Sequence, residues 1–575
     1  MLSLLRYMKP FRGAVLLVLL FTFLQTLSEL FLPTLMADIV DKGVVTGDIA
    51  LIWRVGGIML AIAAGGVLCS IAASYLAARS AAGLGKILRQ NVFSHVENFS
   101  LQEFDRIGTA SLITRTTNDI NQVQQVTIMI LRMLVLAPLM CIGGILMAVS
   151  RDPGLTTVLL IVLPVLGLAI FLIASKGIPL FKKIQVKIDA LGRVTREGLT
   201  GMRVIRSFNR VQYEENRFQE ANEDLTQVSI RVNKIMGAMM PVMMLVMNMA
   251  TIAIVWFGGA RIQDGYLQVG DLMAFLQYAM MIMFSLIMLS VMFVMIPRAQ
   301  ASAVRINEVL QMQPDIEDPK TAAPAQKGKG RITFQDVTFY YPGAEAPALS
   351  NITFEANPGE VTAIIGGTGS GKSTLIHLIP RFYDVTSGTV SLDGVDVRQL
   401  TQEQLREAIG YVPQKALLFT GTIAENIRYG KEDATDEEVA RAAEIAQADE
   451  FISAMEGGYE GLITQGGGNV SGGQKQRLSI ARALVRRPEV YVFDDSFSAL
   501  DFKTDARLRA ALKQETTQST VLIVAQRVST VMEADRIIVL EEGQIAGIGK
   551  HQELMETSSV YREIVASQLS EEEIA

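Results

Sequence analysis

The sequence predicts a multidomain membrane protein: an all-α domain of six membrane-spanning helices with long cytoplasmic helical extensions, followed by an α/β domain. Three observations carry this. Half of the 575 residues are hydrophobic and only 19% are charged, against about 25% charged in a typical soluble protein. The apolar excess is concentrated in roughly the first 310 residues, in six stretches each long enough to cross a hydrocarbon core of about 30 Å. Beyond residue 330, short β-branched strands alternate with helical runs, as in a largely parallel sheet. The same composition excludes other classes. A net charge of -6 offers no field for nucleic acid. Cys69 and Cys141 lie inside apolar runs as small hydrophobes, and His95, His377 and His551 are scattered, so neither a disulfide framework nor a Cys/His metal site is expected.

The spans fall near residues 13–40, 55–77, 126–150, 155–175, 236–258 and 272–296. The first follows Arg6, Lys9 and Arg12 but is too long for a signal-peptide core, so it reads as an uncleaved span. Gln25, Glu29 and Arg132 lie within spans and are expected to face protein or a wet cavity. Connections near 41–54, 151–154 and 259–271 are short and poor in basic residues. Those at 78–125 and 176–235 are long and rich in Lys and Arg, from Arg79 to Arg115 and from Lys182 to Arg210. The positive-inside rule then places both ends of the chain in the cytoplasm. The long connections have helical spacing with little Pro or Gly, so the helices should continue past the bilayer.

Residues 1–310 are therefore assigned to the transmembrane domain, 311–330, punctuated by Pro314, Pro319, Pro324, Gly328 and Gly330, to a linker, and 331–575 to the soluble domain. The acidic end, Ser570 to Glu573, is expected to fray.

In the soluble domain, the strand Val361 to Ile365 runs into Gly366, Gly367, Thr368, Gly369, Ser370, Gly371, Lys372, Ser373 and Thr374. This fits G-x-x-x-x-G-K-[ST] in a strand–loop–helix setting. Glycines let backbone N–H groups approach phosphates, and the helix N-terminus adds partial positive charge. Lys372 would reach the β and γ phosphates of ATP, and Ser373 would ligate Mg²⁺. A second apolar strand, Val490 to Phe493, ends in Asp494, placed to hold Mg²⁺ through water. Between the two lies Val470-Ser471-Gly472-Gly473-Gln474 ahead of an amphipathic run; taken alone, it is a turn with Ser471 as helix N-cap.

That segment resembles the signature sequence of ATP-binding cassette (ABC) proteins, and other motifs appear in the family's order. Tyr341 resembles the adenine-stacking aromatic, Gln414 the Q-loop glutamine that also contacts the metal, and Ser498-Ala499-Leu500-Asp501 the D-loop. With six spans ahead of the cassette, nearly the whole chain resembles a half-transporter of the type IV, multidrug-exporter-like family, and the soluble domain an ABC nucleotide-binding domain. The resemblance implies ATP and Mg²⁺ as cofactors and two cassettes joined head to tail, with Ser471, Gly472, Gly473 and Gln474 completing the partner's site. It also implies coupling helices near Phe104 to Ser111 and Phe208 to Glu215, which taken alone are solvated loops.

Two positions depart from the family's pattern. Asp495 stands where a Glu polarises the attacking water; it is one methylene shorter, drawing its carboxylate back by roughly 1.5 Å. Gln526 stands where a switch histidine is usual, and an amide cannot carry that proton. Gln465, where many relatives carry Glu, is a further difference. The pattern implies ATP binding with weakened hydrolysis, as in one subunit of a heterodimeric bacterial exporter. The expected partner is a different half-transporter chain carrying the Glu and the His. A slow homodimer exporting lipids or peptides and a nucleotide-gated regulatory membrane protein are the alternatives.

The expected function is ATP-driven export of amphipathic or drug-like compounds from the bacterial inner membrane, with hydrolysis mainly at the partner's site. Met residues crowd the last two spans, and Met243, Met247, Met288 and Met292 are candidate cavity residues because soft side chains adapt to several lipophilic compounds; packing against lipid or neighbouring helices is the plainer role. Glu29 is the candidate contact for a cationic substrate.

Overall fold

The computed structural model describes residues 2–324 and 328–568, so Ser570 to Glu573 lie outside the described residues. The chain divides into two compact units, residues 2–97 with 108–312, and residues 98–107 with 313–324 and 328–568. Residues 98–107, which the sequence reading left in the transmembrane domain, thus belong to the second unit. The reason is a buried carboxylate. Glu103, 4% exposed, accepts hydrogen bonds from the backbone N–H of Ser100 (2.7 Å) and of Asp315 (3.2 Å), tying this segment to the start of the linker.

The first unit contains six helical runs long and apolar enough to cross a membrane: Ser3–Val44, Ile49–Glu97, Thr109–Arg151, Pro153–Thr200, Val211–Gln263 and Val269–Gln311. Ile49–Glu97, 49 residues long, spans about 70 Å at 1.5 Å per residue, more than twice a hydrocarbon core. Small residues let these helices approach closely. A Cβ on Gly144 would come within 2.7 Å of Ile282, and one on Gly143 within 2.3 Å of Leu30. The packed centre gathers Leu30, Leu159, Ile254, Phe275, Tyr278 and Ile282. Tyr278 is fully buried and satisfies its hydroxyl on the Leu30 carbonyl (3.0 Å) and on Thr34 (2.7 Å).

Ion pairs fasten the short connections. Asp152, 2% exposed, caps the helix Pro153–Thr200 by accepting from the Leu155 N–H (2.9 Å) and also binds Arg261 Nε at 2.6 Å. Arg151 pairs with Asp271 at 2.7 Å, and Asp41 accepts from the Gly270 N–H at 2.7 Å. Elsewhere, buried Asp119 accepts from Arg305 Nε (2.7 Å) and Ser302 (2.9 Å).

The second unit is built on a six-stranded sheet in the order Gln544–Gly549, Arg536–Glu541, Val361–Gly366, Thr520–Val524, Val490–Asp494, Ile409–Val412. All neighbours are parallel except the first pair. Both faces of its central strands are buried, as parallel sheets require. Tyr491 and Phe493 enter one core while Val490 and Val492 enter the other, and Val521 and Leu522 divide likewise. A four-stranded antiparallel sheet, Leu349–Ala356, Ile332–Phe339, Ser387–Leu392 and Val395–Asp396, covers the second core. The register sets Asp494 opposite Val524 and Val524 opposite Ile364, with Val361–Gly366 running on to Gly366, so three neighbouring strands finish at one end of the sheet. Ligands in open α/β sheets bind at such carboxyl ends.

Candidate nucleotide-binding site

The loop 366–371 leaves one of these strand ends. Gly366 has no room for a side chain: a Cβ would lie 2.2 Å from the Leu540 carbonyl oxygen and 2.7 Å from Ser370 Oγ. Gly371 immediately before the helix Lys372–Leu378 is left-handed at φ 95°, a conformation natural to glycine. Lys372 turns back on its own loop, donating to the carbonyls of Gly366 (2.8 Å) and Gly367 (2.6 Å). Burial lowers its pKa, and the carboxylates of Asp495 and Asp494 oppose that shift. Next to it, Ser373 Oγ donates to Asp494 Oδ1 at 3.2 Å. Asp494 is 4% exposed, and burial raises its pKa against the Ser373 hydrogen bond that lowers it.

Asp495 follows in a left-handed conformation with φ 45° and is 8% exposed. A single carboxylate oxygen, Oδ2, receives the amide nitrogens of Gln414 (3.2 Å) and Gln526 (2.9 Å). Three residues singled out by sequence, 81 and 31 positions from one another along the chain, thus meet at one atom. Tyr341 completes the group on the other side, hydrogen-bonded to Thr374 at 3.0 Å and packed edge-on against Tyr383. Tyr341, Thr368, Gly369, Gly371, Lys372, Ser373, Thr374, Gln414 and Gln526 line one cleft of about 510 Å³.

Ser471, Gly472, Gly473 and Gln474 do not line this cleft. They form a capping box at the start of the helix Gly472–Leu484: the Ser471 hydroxyl accepts from the Gln474 N–H (3.3 Å), and the Gln474 side chain accepts from the Ser471 N–H (2.8 Å). Gly473 keeps the Ala499 carbonyl close; a Cβ there would be 3.1 Å away. Asp501 caps the helix Phe502–Glu515 through the Thr504 N–H at 3.0 Å. Gln465 opens a tight turn with Gly466 at φ 66°.

Four site neighbours escaped sequence reasoning. Glu542 and Gly543 line the cleft from the loop after Arg536–Glu541. Tyr411 donates to Asp494, and burial drives its pKa up. Gln568 clamps the strand end bearing Gln526: its Oε1 accepts from the Val528 N–H and its Nε2 donates to the Gln526 carbonyl, both at 2.8 Å. No local signal marks a glutamine 42 residues from the backbone it holds.

In the first unit, the five candidate substrate residues are spread over three helices, Glu29 on Arg12–Asp38, Met243 and Met247 on Met239–Gln263, and Met288 and Met292 on Val269–Gln311. Met243 is 1% exposed in the packed centre, with Met247 against it, and Met292 is 3% exposed. Met243 and Met247 thus pack within the helical core of this unit. Met288 is half-buried, and Glu29 accepts from Gln25 Nε2 at 2.9 Å one turn away. An apolar cleft of about 520 Å³ is lined by other residues, among them Phe171, Phe181, Met236, Met239, Leu286 and Leu289. Of the expected coupling segments, the first is broken into helices Leu101–Ile107 and Thr109–Thr114, and in the second Phe208 is 73% exposed.

Both units of the chain resemble known proteins. The model of the ABC transporter transmembrane region matches residues 15–286, and the ABC transporter domain model matches residues 349–498. An uncharacterized ABC transporter ATP-binding protein of Mycobacterium tuberculosis (strain ATCC 25618 / H37Rv) is 44% identical, covering 99% of this chain and 98% of its own. The ATP-dependent lipid A-core flippase of Chromobacterium violaceum is 32% identical over 99% and 97% of the two chains. Among solved structures, a bacterial Atm1-family ABC exporter with ATP bound superposes with a TM-score of 0.81 at 26% identity, covering 99% of each chain.

Proposed function

From the premise that this chain belongs to the ABC transporters, as an ATP-hydrolysing exporter of the bacterial inner membrane, we propose that it is one half of a heterodimeric exporter of amphipathic compounds. Its own phosphate loop serves a slow site, and Ser471 to Gln474 serve the competent site of a different partner chain. Drug-like molecules and lipids fall in the cargo class; the lipid A-core flippase among the relatives supports the lipid end of it. Both chain ends lie in the cytoplasm on this reading, as the basic long connections require.

One observation carries the proposal: Asp495 Oδ2 is occupied by two amides, Gln414 and Gln526. A general base must reach the water it activates. A shortened carboxylate whose oxygen already accepts two hydrogen bonds is poorly placed for that, and Gln526 has no titrating proton to replace the histidine's.

Binding is provided for separately. Lys372 exchanges two neutral loop carbonyls for anionic phosphate oxygens, so that its charge meets an opposite one. Ser373 Oγ and Asp494 form an all-oxygen donor pair that fits Mg²⁺. With Gln414 Nε2 committed to Asp495, its Oε1 is left for the same cation. Bound Mg²⁺ supplies neutralisation of phosphate charge. ATP drives export only so far as it binds the closed cassettes better than the open ones.

The test is restoration. Asp495→Glu combined with Gln526→His should raise ATP turnover of the purified chain by roughly 10-fold or more, since a positioned base is worth about 10²–10⁴. Brisk hydrolysis by the unaltered chain alone, abolished by Asp495→Asn, would sink the proposal.

A further inference from the structure

The described N-terminal segment ahead of the first span is a built element with one uncommitted face. Residues Arg6–Phe11 form a 3₁₀ turn with Pro10 inside it, leading into the helix Arg12–Asp38. Leu4 is buried, and Phe11 fills the space above Gly83, where a Cβ would fall 2.2 Å from its ring. Ser3 is tied to Asn307 by a hydrogen bond of 2.7 Å. On the other face a groove of about 610 Å³ opens between this segment and the helix Ile120–Arg151. Leu5, Val15, Leu16, Ile130 and Leu131 wall it, and Leu16 is 67% exposed.

Arg6, Lys9 and Arg12 also line the groove, all three exposed. Arg6 is engaged by Tyr7, its guanidinium 5.0 Å from the ring centre. Among the described residues none of the three makes an ion pair, and no acidic residue lines the groove. Three cations without counter-charges therefore stand at the mouth of an apolar slot, directly ahead of the apolar run that begins near residue 13. Long basic side chains at such a level reach toward lipid headgroups, while apolar walls suit an acyl chain. Of the molecules present there, only an anionic lipid satisfies both halves.

We propose that this groove binds an anionic phospholipid of the membrane the chain spans, its phosphate on Arg6, Lys9 and Arg12 and an acyl chain against Val15, Leu16 and Ile130. The site is separate from export cargo, which the function proposed above places elsewhere; it rests on that reading only in assigning the lipid to the cytoplasmic leaflet.

The full chain, in the assembly in which it is purified, is reconstituted in phosphatidylcholine vesicles carrying a trace of photoactivatable phosphatidylglycerol, and the crosslinked residues are mapped by mass spectrometry. Label should fall on residues 5–16 and 127–131, and photoactivatable phosphatidylcholine should label them roughly tenfold less, as the loss of several headgroup attractions dictates. The triple variant Arg6→Gln, Lys9→Gln, Arg12→Gln should abolish that preference. Ile130→Trp, which fills the slot and keeps the cations, should remove the label itself. Equal labelling by the two lipids, or an unchanged preference in the triple variant while ATP binding remains intact, would overturn the site. A probe confined to one leaflet separates the two readings: labelling from the outer leaflet alone would refute the orientation and leave the groove's preference standing.

Discussion

Asp495 carries one methylene fewer than a glutamate. Its Oδ2 accepts from both Gln414 and Gln526 and so joins two loops, which on the function proposed above takes it from the work of a general base. Asp495→Asn should accordingly alter ATP turnover of the assembled transporter by less than about threefold, where losing a working base costs about 10²–10⁴. Lys372 behaves oppositely, since its ammonium has only neutral loop partners to give up. Lys372→Ala should weaken ATP binding about 10- to 100-fold, the worth of a charged hydrogen bond, as read by nucleotide titration. Asp494 offers a pH test. Its folded pKa is raised by burial, so its ionised form is disfavoured in the fold. That cost is absent below the unfolded carboxylate range and appears as pH rises through the folded pKa. Asp494→Asn should therefore melt higher than the unaltered chain without nucleotide at pH about 7.5, with the gain vanishing near pH 4.

Secondary-structure elements in both units are fastened at their ends by single polar side chains. The 48-residue helix Pro153–Thr200 begins on Asp152, which caps it and neutralises Arg261 while 2% exposed. Asp152→Ala removes the cap of a buried helix end and the carboxylate partner of the partly exposed Arg261, which keeps its contact with the Tyr266 ring, and should cost about 1–3 kcal/mol, read as a lowered melting temperature in detergent. In the second unit, Gln568 joins the end of the helix Ser559–Ala566 to the backbone around Gln526. Gln568→Ala removes two hydrogen bonds and should cost about 1–3 kcal/mol of cassette stability. Because Gln568→Glu keeps the acceptor for Val528 but loses the donor for Gln526, it should recover about half of that loss in the same melting assay.

At the scale of the whole molecule, the proposal of a partnered, asymmetric exporter is decided by weighing the assembly. Native mass spectrometry of the tagged chain from its source membrane should find a second polypeptide of similar size at one to one; a dimer of identical chains would place Asp495 and Gln526 at both sites. Sequence alone determined the six apolar runs, the strand–glycine loop–Lys372–Ser373 succession and the Ser471 cap, because transfer to lipid, backbone freedom at glycine and helix capping each depend on residues within a few positions of one another. Tertiary structure alone decided what those pieces touch. The sheet register brought Asp494 level with Val524 and so Asp495 to Gln526. Long-range pairing joined Asp152 to Arg261 across 109 residues and Asp119 to Arg305 across 186. Glu103 joined Asp315 within the second unit, and helix packing placed Met243 in the core of the first. Such contacts are paid for by burial gathered over the entire fold, and no short stretch of sequence contains that sum.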